Sequence, residues 1–420
     1  MNVAQPFTLP NGQHFRNRIA KAAMTEGLAG KDGLPNAAHD TLYRRWADGG
    51  CGLLITGNVQ VDRAHLERPG NVIVDGPLSA EGKAAWARWA AAATQGGTQA
   101  WVQINHAGRQ TQKAVNPHPR APSAVPLALP GGQFGMPVPL TGIEIESLIA
   151  RWANAAAISR EAGFTGVQVH AAHGYLISQF LSPLANQRRD EWGGSLENRA
   201  RFLIETVKAV RAAVGADFTV SVKLNSADFQ KGGFAFDECI TVAGWLADLK
   251  LDCLEISGGT YEQPAMMDME GLAPRDEPAQ RSTRQREAYF VELAQALMAG
   301  NTPPLLVTGG FRTLAAMDDA VAKGVALVGV GRPLCAAPDC VGELLAGHAE
   351  ELPRFEQQLA IGPGWLGPAS PFKLVRTING FAAQSWYYQQ LRAVAAGQPA
   401  LKINPFSAFL AENRENAARS

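Results

Sequence analysis

Short apolar runs alternate with longer amphipathic stretches along this chain, in eight successive β-then-α units. The apolar runs at residues 19–24, 52–56, 98–104, 166–169, 218–224, 253–256, 305–307 and 326–330 are near-continuous, as in parallel strands buried on both faces. Between them lie helical patterns over residues 36–48, 80–94, 143–162, 196–214, 236–249, 286–299, 313–323 and 339–346. Gly49-Gly50 and Gly96-Gly97 stop the first two, and Thr141 and Gly163 bracket the third. Eight such units in order predict an α/β fold, a (β/α)₈ TIM barrel, over an open doubly wound sheet.

Three segments fall outside that count. Residues 7–17, centred on Asn11-Gly12, read as a β-hairpin plugging the N-terminal end of the barrel. Residues 105–141 form a long, proline-rich stretch after strand three, expected to be a lid over the strand ends. Beyond a barrel spanning 1–350, residues 351–420 read as a C-terminal extension with a Gly/Pro cluster at 361–371 and a helix near 377–396. Its aromatic residues Trp365, Trp386, Tyr387 and Tyr388 suit packing on the barrel or on a second subunit, so a homo-oligomer stays open.

Composition narrows the class of function. Lysine plus arginine equals aspartate plus glutamate, 38 each, so no net field attracts nucleic acid or an anionic membrane. A phosphate-bearing ligand must therefore be held by a local site. Five cysteines are scattered without CxxC spacing, which disfavours a zinc centre, an iron–sulfur cluster or a disulfide framework. The opening MNVAQPFTLP has no signal-peptide pattern and no stretch reaches a membrane span, so a cytoplasmic protein is expected.

Chemistry concentrates where the predicted strands end. The segment VHAAHGYLISQFLS at 169–182 places His170, His173 and Tyr175 within six residues after an apolar run. Two imidazoles and a phenol are poor core material, but at a strand end they can grip a carbonyl oxygen and deliver a proton. Gly309 and Gly310 after strand seven, and Gly331 and Arg332 after strand eight, fall where barrels bind phosphate. Gln103 offers a primary amide and Lys223 a cation at the mouth, a pair suited to the polar edge of an isoalloxazine ring. No third ligand accompanies His170 and His173, so no metal is expected.

With these residues in view, NRIAKAAMT (17–25), WVQINHAGRQ (101–110), the long block GFTGVQVHAAHGYLISQFLSPLANQRRDEWGGSLENRARF (163–202), VTGGF (307–311) and VGVGRPL (328–334) closely resemble the Old Yellow Enzyme family. These are FMN-dependent ene-reductases, and the resemblance spans about residues 3 to 345. It implies that Ala23, Met24, Thr25 and Asn58 line the flavin, largely through backbone groups, and that Gln103 and Lys223 meet its pyrimidine edge. Gly309, Gly310, Gly331 and Arg332 would hold the phosphate. His170 and His173 would bind a substrate carbonyl and Tyr175 would donate the proton. The implied reductant is NADPH or NADH, and the implied substrate is an activated alkene such as an enone, enal, maleimide or nitroalkene.

The chain departs from the family pattern at four places. Lys223 stands where arginine is usual, Thr25 where one subfamily has cysteine, and Gly27 where that subfamily has a second substrate-contacting tyrosine, which implies a roomier pocket. The cysteine cluster and added dinucleotide domain of longer relatives are absent. The alternatives are an FMN-dependent N-demethylating amine oxidoreductase and, more distantly, a Schiff-base aldolase barrel using Lys223.

Overall fold

The computed structural model describes residues 2–127, 129, 132–257 and 283–419. Eight parallel strands close into a barrel: β1 (Ile19–Lys21), β2 (Leu53–Ile55), β3 (Gln99–Asn105), β4 (Gly166–Ala171), β5 (Thr219–Asn225), β6 (Cys253–Ser257), β7 (Leu305–Thr308) and β8 (Leu327–Val330). Val328 of β8 lies opposite Ile19 of β1, which completes the ring. Around it run α1 (Ala37–Asp48), α2 (Ala80–Ala93), α3 (Gly142–Ala162), α4 (Leu196–Val214), α5 (Phe236–Asp248), α6 (Thr283–Met298), α7 (Leu314–Ala322) and α8 (Cys340–Leu345). This is the expected (β/α)₈ architecture.

Local signals start and stop the helices. Asn36 caps α1 through the Ala38 N–H, 3.0 Å from its side-chain oxygen. Thr141 and Glu144 form a reciprocal capping box on α3, which ends at Gly163 in the left-handed region, φ 99°.

The period of two sorts each strand between two environments. Val102, Val167, Val169, Val220, Val222, Leu254, Ile256 and Val307 face the helices. The alternate positions face inward, and their lower layer is apolar: Ala20, Leu53, Trp101, Cys253, Leu306 and Leu327 pack with Leu9 and Phe15 of the N-terminal hairpin. That hairpin, Phe7–Thr8 against His14–Phe15, plugs the strand starts as expected. Its Asn11 and Gln13 bond Thr219, Thr165 and Trp101. Higher up the same inward columns become polar: Gln103 above Trp101, Gln168 then His170 above Gly166, Lys223 above Ser221, and Glu255 above Cys253.

Several boundaries differ from expectation. β1 stops at Lys21 instead of Met24, so Ala23, Met24 and Thr25 belong to the loop. β4 runs on to Ala171 and β5 to Asn225, which puts His170 and Lys223 inside strands, their polar side chains directed into the barrel. The C-terminal helix α9 spans Lys373–Ala395, and a further helix, α10 (Pro405–Arg419), was not anticipated. Its anchor is long-range: buried Glu412 pairs with Arg68 and Arg392, and Arg68 lies 3.8 Å over the Tyr388 ring. Trp386 and Tyr388 are likewise packed against the protein, whereas Trp365 is 61% exposed. No described helix is long and apolar enough to cross a membrane.

Candidate active site

At the exit of β4 the chain turns sharply, and the turn fixes the two histidines. His173 adopts a left-handed conformation, φ 59°, unusual for a residue with a side chain. Neighbours enforce it: the His173 N–H donates to Asn225 Oδ1 at 3.0 Å, and Gln110 Nε2 donates to its carbonyl at 3.1 Å. The ring then brings Nδ1 to 3.2 Å from His170 Nε2, while its Nε2 lies 2.6 Å from Ser257 Oγ. Tyr175 follows at the start of a short helix, Leu176–Leu181, with its ring centroid 4.8 Å from that of His170.

The three residues read from the HAAHGY segment are thus brought together. Burial, with His173 and Lys223 nearby, holds His170 well below its ordinary pKa, and burial with Lys223 does the same for His173. Both rings are neutral at pH 7, so each has one N–H to give and one lone pair. If Ser257 donates to His173 Nε2, the proton of that ring sits on Nδ1, which donates to His170 Nε2 in this structure. An incoming oxygen that replaces this mutual contact, with the His170 proton on Nε2, would meet two N–H donors.

Below them lies a polar layer. Gln103 Nε2 donates to Gln168 Oε1 at 2.8 Å, Gln168 Nε2 donates to Glu255 Oε2 at 2.9 Å, and Lys223 Nζ is 2.8 Å from Glu255 Oε1. The Lys223 and Glu255 side chains are 4% and 0% exposed, so this ion pair is buried in the barrel. Lys223 therefore does not snorkel to solvent, and its charge is matched by Glu255. Sequence reading missed Glu255, Gln168, Ser257 and Asn225; the available signal was a carboxylate, an amide or a hydroxyl at the inward positions of otherwise apolar strands.

The glycine pairs leave neighbouring strands at the same end, since Thr308 lies opposite Gly329. Gly309, Gly310, Gly331 and Arg332 are half-buried, as are Ala23, Met24 and Thr25. A Cβ on Gly331 would meet only the Met24 side chain, at 3.6 Å, so the loop leaves a hollow beside that residue. Asn58 Oδ1 accepts from Gln60 Nε2 at 3.1 Å and from Asn71 Nδ2 at 2.9 Å. Among the described residues, His170 Nδ1 and Thr308 Oγ1 are buried without a hydrogen-bond partner, at the ends of β4 and β7. Unmatched polar atoms of this kind are costly unless a ligand completes them. The donor set fits FMN: glycine backbone and Arg332 for the phosphate, Gln103 and Lys223 for the pyrimidine edge.

A Cβ on Gly27 would lie 3.4 Å from Arg68 Nε, an ordinary contact, so Arg68 is the nearest neighbour where the missing tyrosine was expected to leave room. A second buried network sits behind the loops after β1 and β2. Lys21 is fully buried with Nζ 2.6 Å from the Ile55 carbonyl and 4.0 Å from Glu26 Oε1. Glu26 accepts from Tyr43 at 2.5 Å and from the Gly57 N–H at 3.0 Å. Burial lowers Lys21 to about 8 and raises Glu26, each partly offset by the other's charge.

Asp62, His65 and His106 bring one potential ligand atom each within 4.8 Å of one another. Their hydrogen bonds argue for a structural tie instead of a metal. His106 Nδ1 accepts the Gly108 N–H at 3.0 Å and His65 Nε2 accepts the Arg120 N–H at 2.8 Å. The nitrogens facing Asp62 therefore carry the protons, the reverse of metal-bound imidazole, and Arg151 approaches the same carboxylate at 3.3 Å. The cluster fastens the 105–141 segment to the loop after β2.

These neutral imidazoles give a pH prediction. Burial, then the neighbouring His65, lowers His106 to about 4, and His170 and His173 are also lowered. In the unfolded chain they would protonate near the ordinary value of about 6.5. Their contribution to stability is complete above that value and is lost as pH falls toward the folded values. The thermal midpoint should fall as pH drops from about 6.5 to 4. A midpoint that rose on acidification through this window would contradict neutral burial.

Comparison with known proteins places this chain among relatives. A sequence model of the NADH:flavin oxidoreductase / NADH oxidase family matches residues 2–351. The NADH-dependent flavin oxidoreductase iliE of Hypocrea jecorina (strain QM6a) is 38% identical over 361 residues, covering 80% of this chain and 87% of that protein. An Old Yellow Enzyme homologue from Zymomonas mobilis has a similar solved structure, with TM-score 0.69 and 25% identity over 86% of this chain and 98% of that one. A 2-naphthoyl-CoA reductase in complex with 2-naphthoyl-CoA gives TM-score 0.73 and 28% identity over 82% of this chain, but only 52% of that longer chain.

Proposed function

The chain belongs to the NADH:flavin oxidoreductase / NADH oxidase family, FMN-dependent and of the Old Yellow Enzyme type, and we propose that it reduces the activated C=C bond of α,β-unsaturated carbonyl compounds. FMN, which Gly309, Gly310, Gly331, Arg332, Gln103 and Lys223 would hold, would supply two-electron hydride chemistry between NADH or NADPH and the β-carbon of the alkene. The protein's own groups do the rest. His170 and His173 donate two hydrogen bonds to the carbonyl oxygen, where negative charge grows as hydride arrives. Asn225, Gln110 and Ser257 hold His173 in its strained turn so that both donors are aimed beforehand. Tyr175 gives its phenolic proton to the α-carbon.

The observation that carries this reading is the convergence of His170 Nε2 and His173 Nδ1, 3.2 Å apart, in rings that burial keeps neutral. A neutral donor pair suits an uncharged carbonyl that becomes enolate-like. The test is anaerobic reoxidation of the NADH-reduced protein by 2-cyclohexenone, with cyclohexanone measured as product. Turnover without the saturated ketone, or reduction by an N-methyl amine with no nicotinamide present, would overturn it.

Tyr175→Phe separates proton delivery from hydride delivery. General acid catalysis is worth about 10²–10⁴-fold, so reoxidation by 2-cyclohexenone should slow by about that factor. A nitroalkene, whose reduced form is a stabilised anion that water can protonate, should be affected far less. Equal slowing with both acceptors would remove Tyr175 as the proton donor.

A further inference from the structure

We propose that Glu255 is the residue that sets both the charge and the hydrogen-bond polarity presented to the pyrimidine edge of bound FMN. The inference rests on the reading above, in which Gln103 and Lys223 meet that edge. It concerns what lies behind them.

Register places the pair together. Lys223 of β5 stands directly opposite Glu255 of β6, and both point into the barrel beneath the mouth. A cation at this place by itself would favour the cofactor state that carries more negative charge. Hydride from a nicotinamide brings two electrons and one proton, so each reduction adds one negative charge to the cofactor. With Glu255 2.8 Å away and fully buried, Lys223 no longer acts as a lone cation, because the pair sums to zero. The field in this buried site is poorly screened, so the carboxylate acts on the same edge as the ammonium. Glu255 therefore holds the potential below the value a bare Lys223 would give, and reduced enzyme is the stronger hydride donor for it.

Hydrogen-bond polarity follows from the other carboxylate oxygen. An ionised carboxylate only accepts. Gln168 must therefore turn its NH₂ toward Glu255, at 2.9 Å, and present its carbonyl to Gln103. Gln103 must in turn direct its NH₂ at that carbonyl, at 2.8 Å, which aims its own carbonyl away from the chain. Amides alone could run in either direction; the charged terminus chooses one. An acceptor at the Gln103 end matches a ring N–H such as the one in the flavin pyrimidine.

The experiment measures the FMN midpoint potential and the FMN dissociation constant in wild type, Glu255→Gln, Lys223→Gln and the double variant. Glu255→Gln should shift the reduction equilibrium toward reduced FMN by about tenfold, which is about 30 mV for a two-electron couple. Lys223→Gln should shift it the other way, and the double variant should return close to wild type. If Glu255→Gln does not fold, the double variant compared with Lys223→Gln isolates the same charge, and the double must have the higher potential. Yellow proteins whose potentials ignore residue 255 would overturn this inference alone. A wild type that binds no FMN would overturn the cofactor reading and this inference with it.

Discussion

Replacing His170 or His173 by alanine should slow reoxidation of the reduced enzyme by 2-cyclohexenone by about 10²–10³-fold, while reduction by NADH stays within a few-fold of wild type. The magnitude is that of one preorganised donor lost where negative charge develops. It applies here because the two nitrogens are already aimed: His170 is fixed by β4, and His173 by a left-handed turn with three outside partners. Only the mutual His170–His173 contact has to open when the substrate oxygen arrives. The two losses should not multiply in the double variant, since the rings contact each other at 3.2 Å. Stopped-flow absorbance resolves the two half-reactions. Impairment confined to flavin reduction would mean that the pair serves the nicotinamide and not the carbonyl.

The second large effect is on stability. Glu26→Ala should cost about 3–5 kcal/mol, the range for removing one partner of a buried ion pair. Lys21, lowered by burial to about 8 even with Glu26 beside it, would lose that support in a fully buried position over the Trp46 ring, with backbone carbonyls as its remaining partners. Tyr43 would lose its acceptor as well, and the Gly57 N–H would keep only the Tyr43 oxygen, at 3.2 Å. A Lys21→Met, Glu26→Leu double variant should recover much of the loss, because well-packed apolar groups replace such pairs at little cost. Denaturant unfolding of the FMN-loaded protein measures both. A loss under about 1 kcal/mol for Glu26→Ala would show that the pair is not holding the loops after β1 and β2.

How much of this could be read from the residues follows a physical line. The eight strands were legible because parallel strands buried on both faces need apolar residues at nearly every position, and the helices because their caps are local. Asn36, Thr141 and Gly163 act within a turn of their own helix. The histidine pair and Tyr175 were legible because they are close in sequence and chemically out of place in a core. Glu255 was not, since its meaning comes from β5, 32 positions earlier, and from a register visible only once the barrel closes. Lys21 was hidden likewise: it falls inside the apolar run 19–24, and only packing reveals it wedged against α1. Helix α10 depends on Glu412 reaching Arg68, 344 residues away. Arg68 also stands beside Gly27, a contact that comes from a different loop.

The proposed reaction moves hydride from a nicotinamide, by way of FMN, to an activated alkene. An anaerobic ultraviolet–visible titration of the purified protein, first with NADH or NADPH and then with 2-cyclohexenone, tests it in one cuvette. The predicted record is a yellow protein whose flavin bands bleach with nicotinamide and return in full with the enone, one equivalent for one. A yellow protein that bleaches but is not reoxidised by the enone would contradict the alkene assignment.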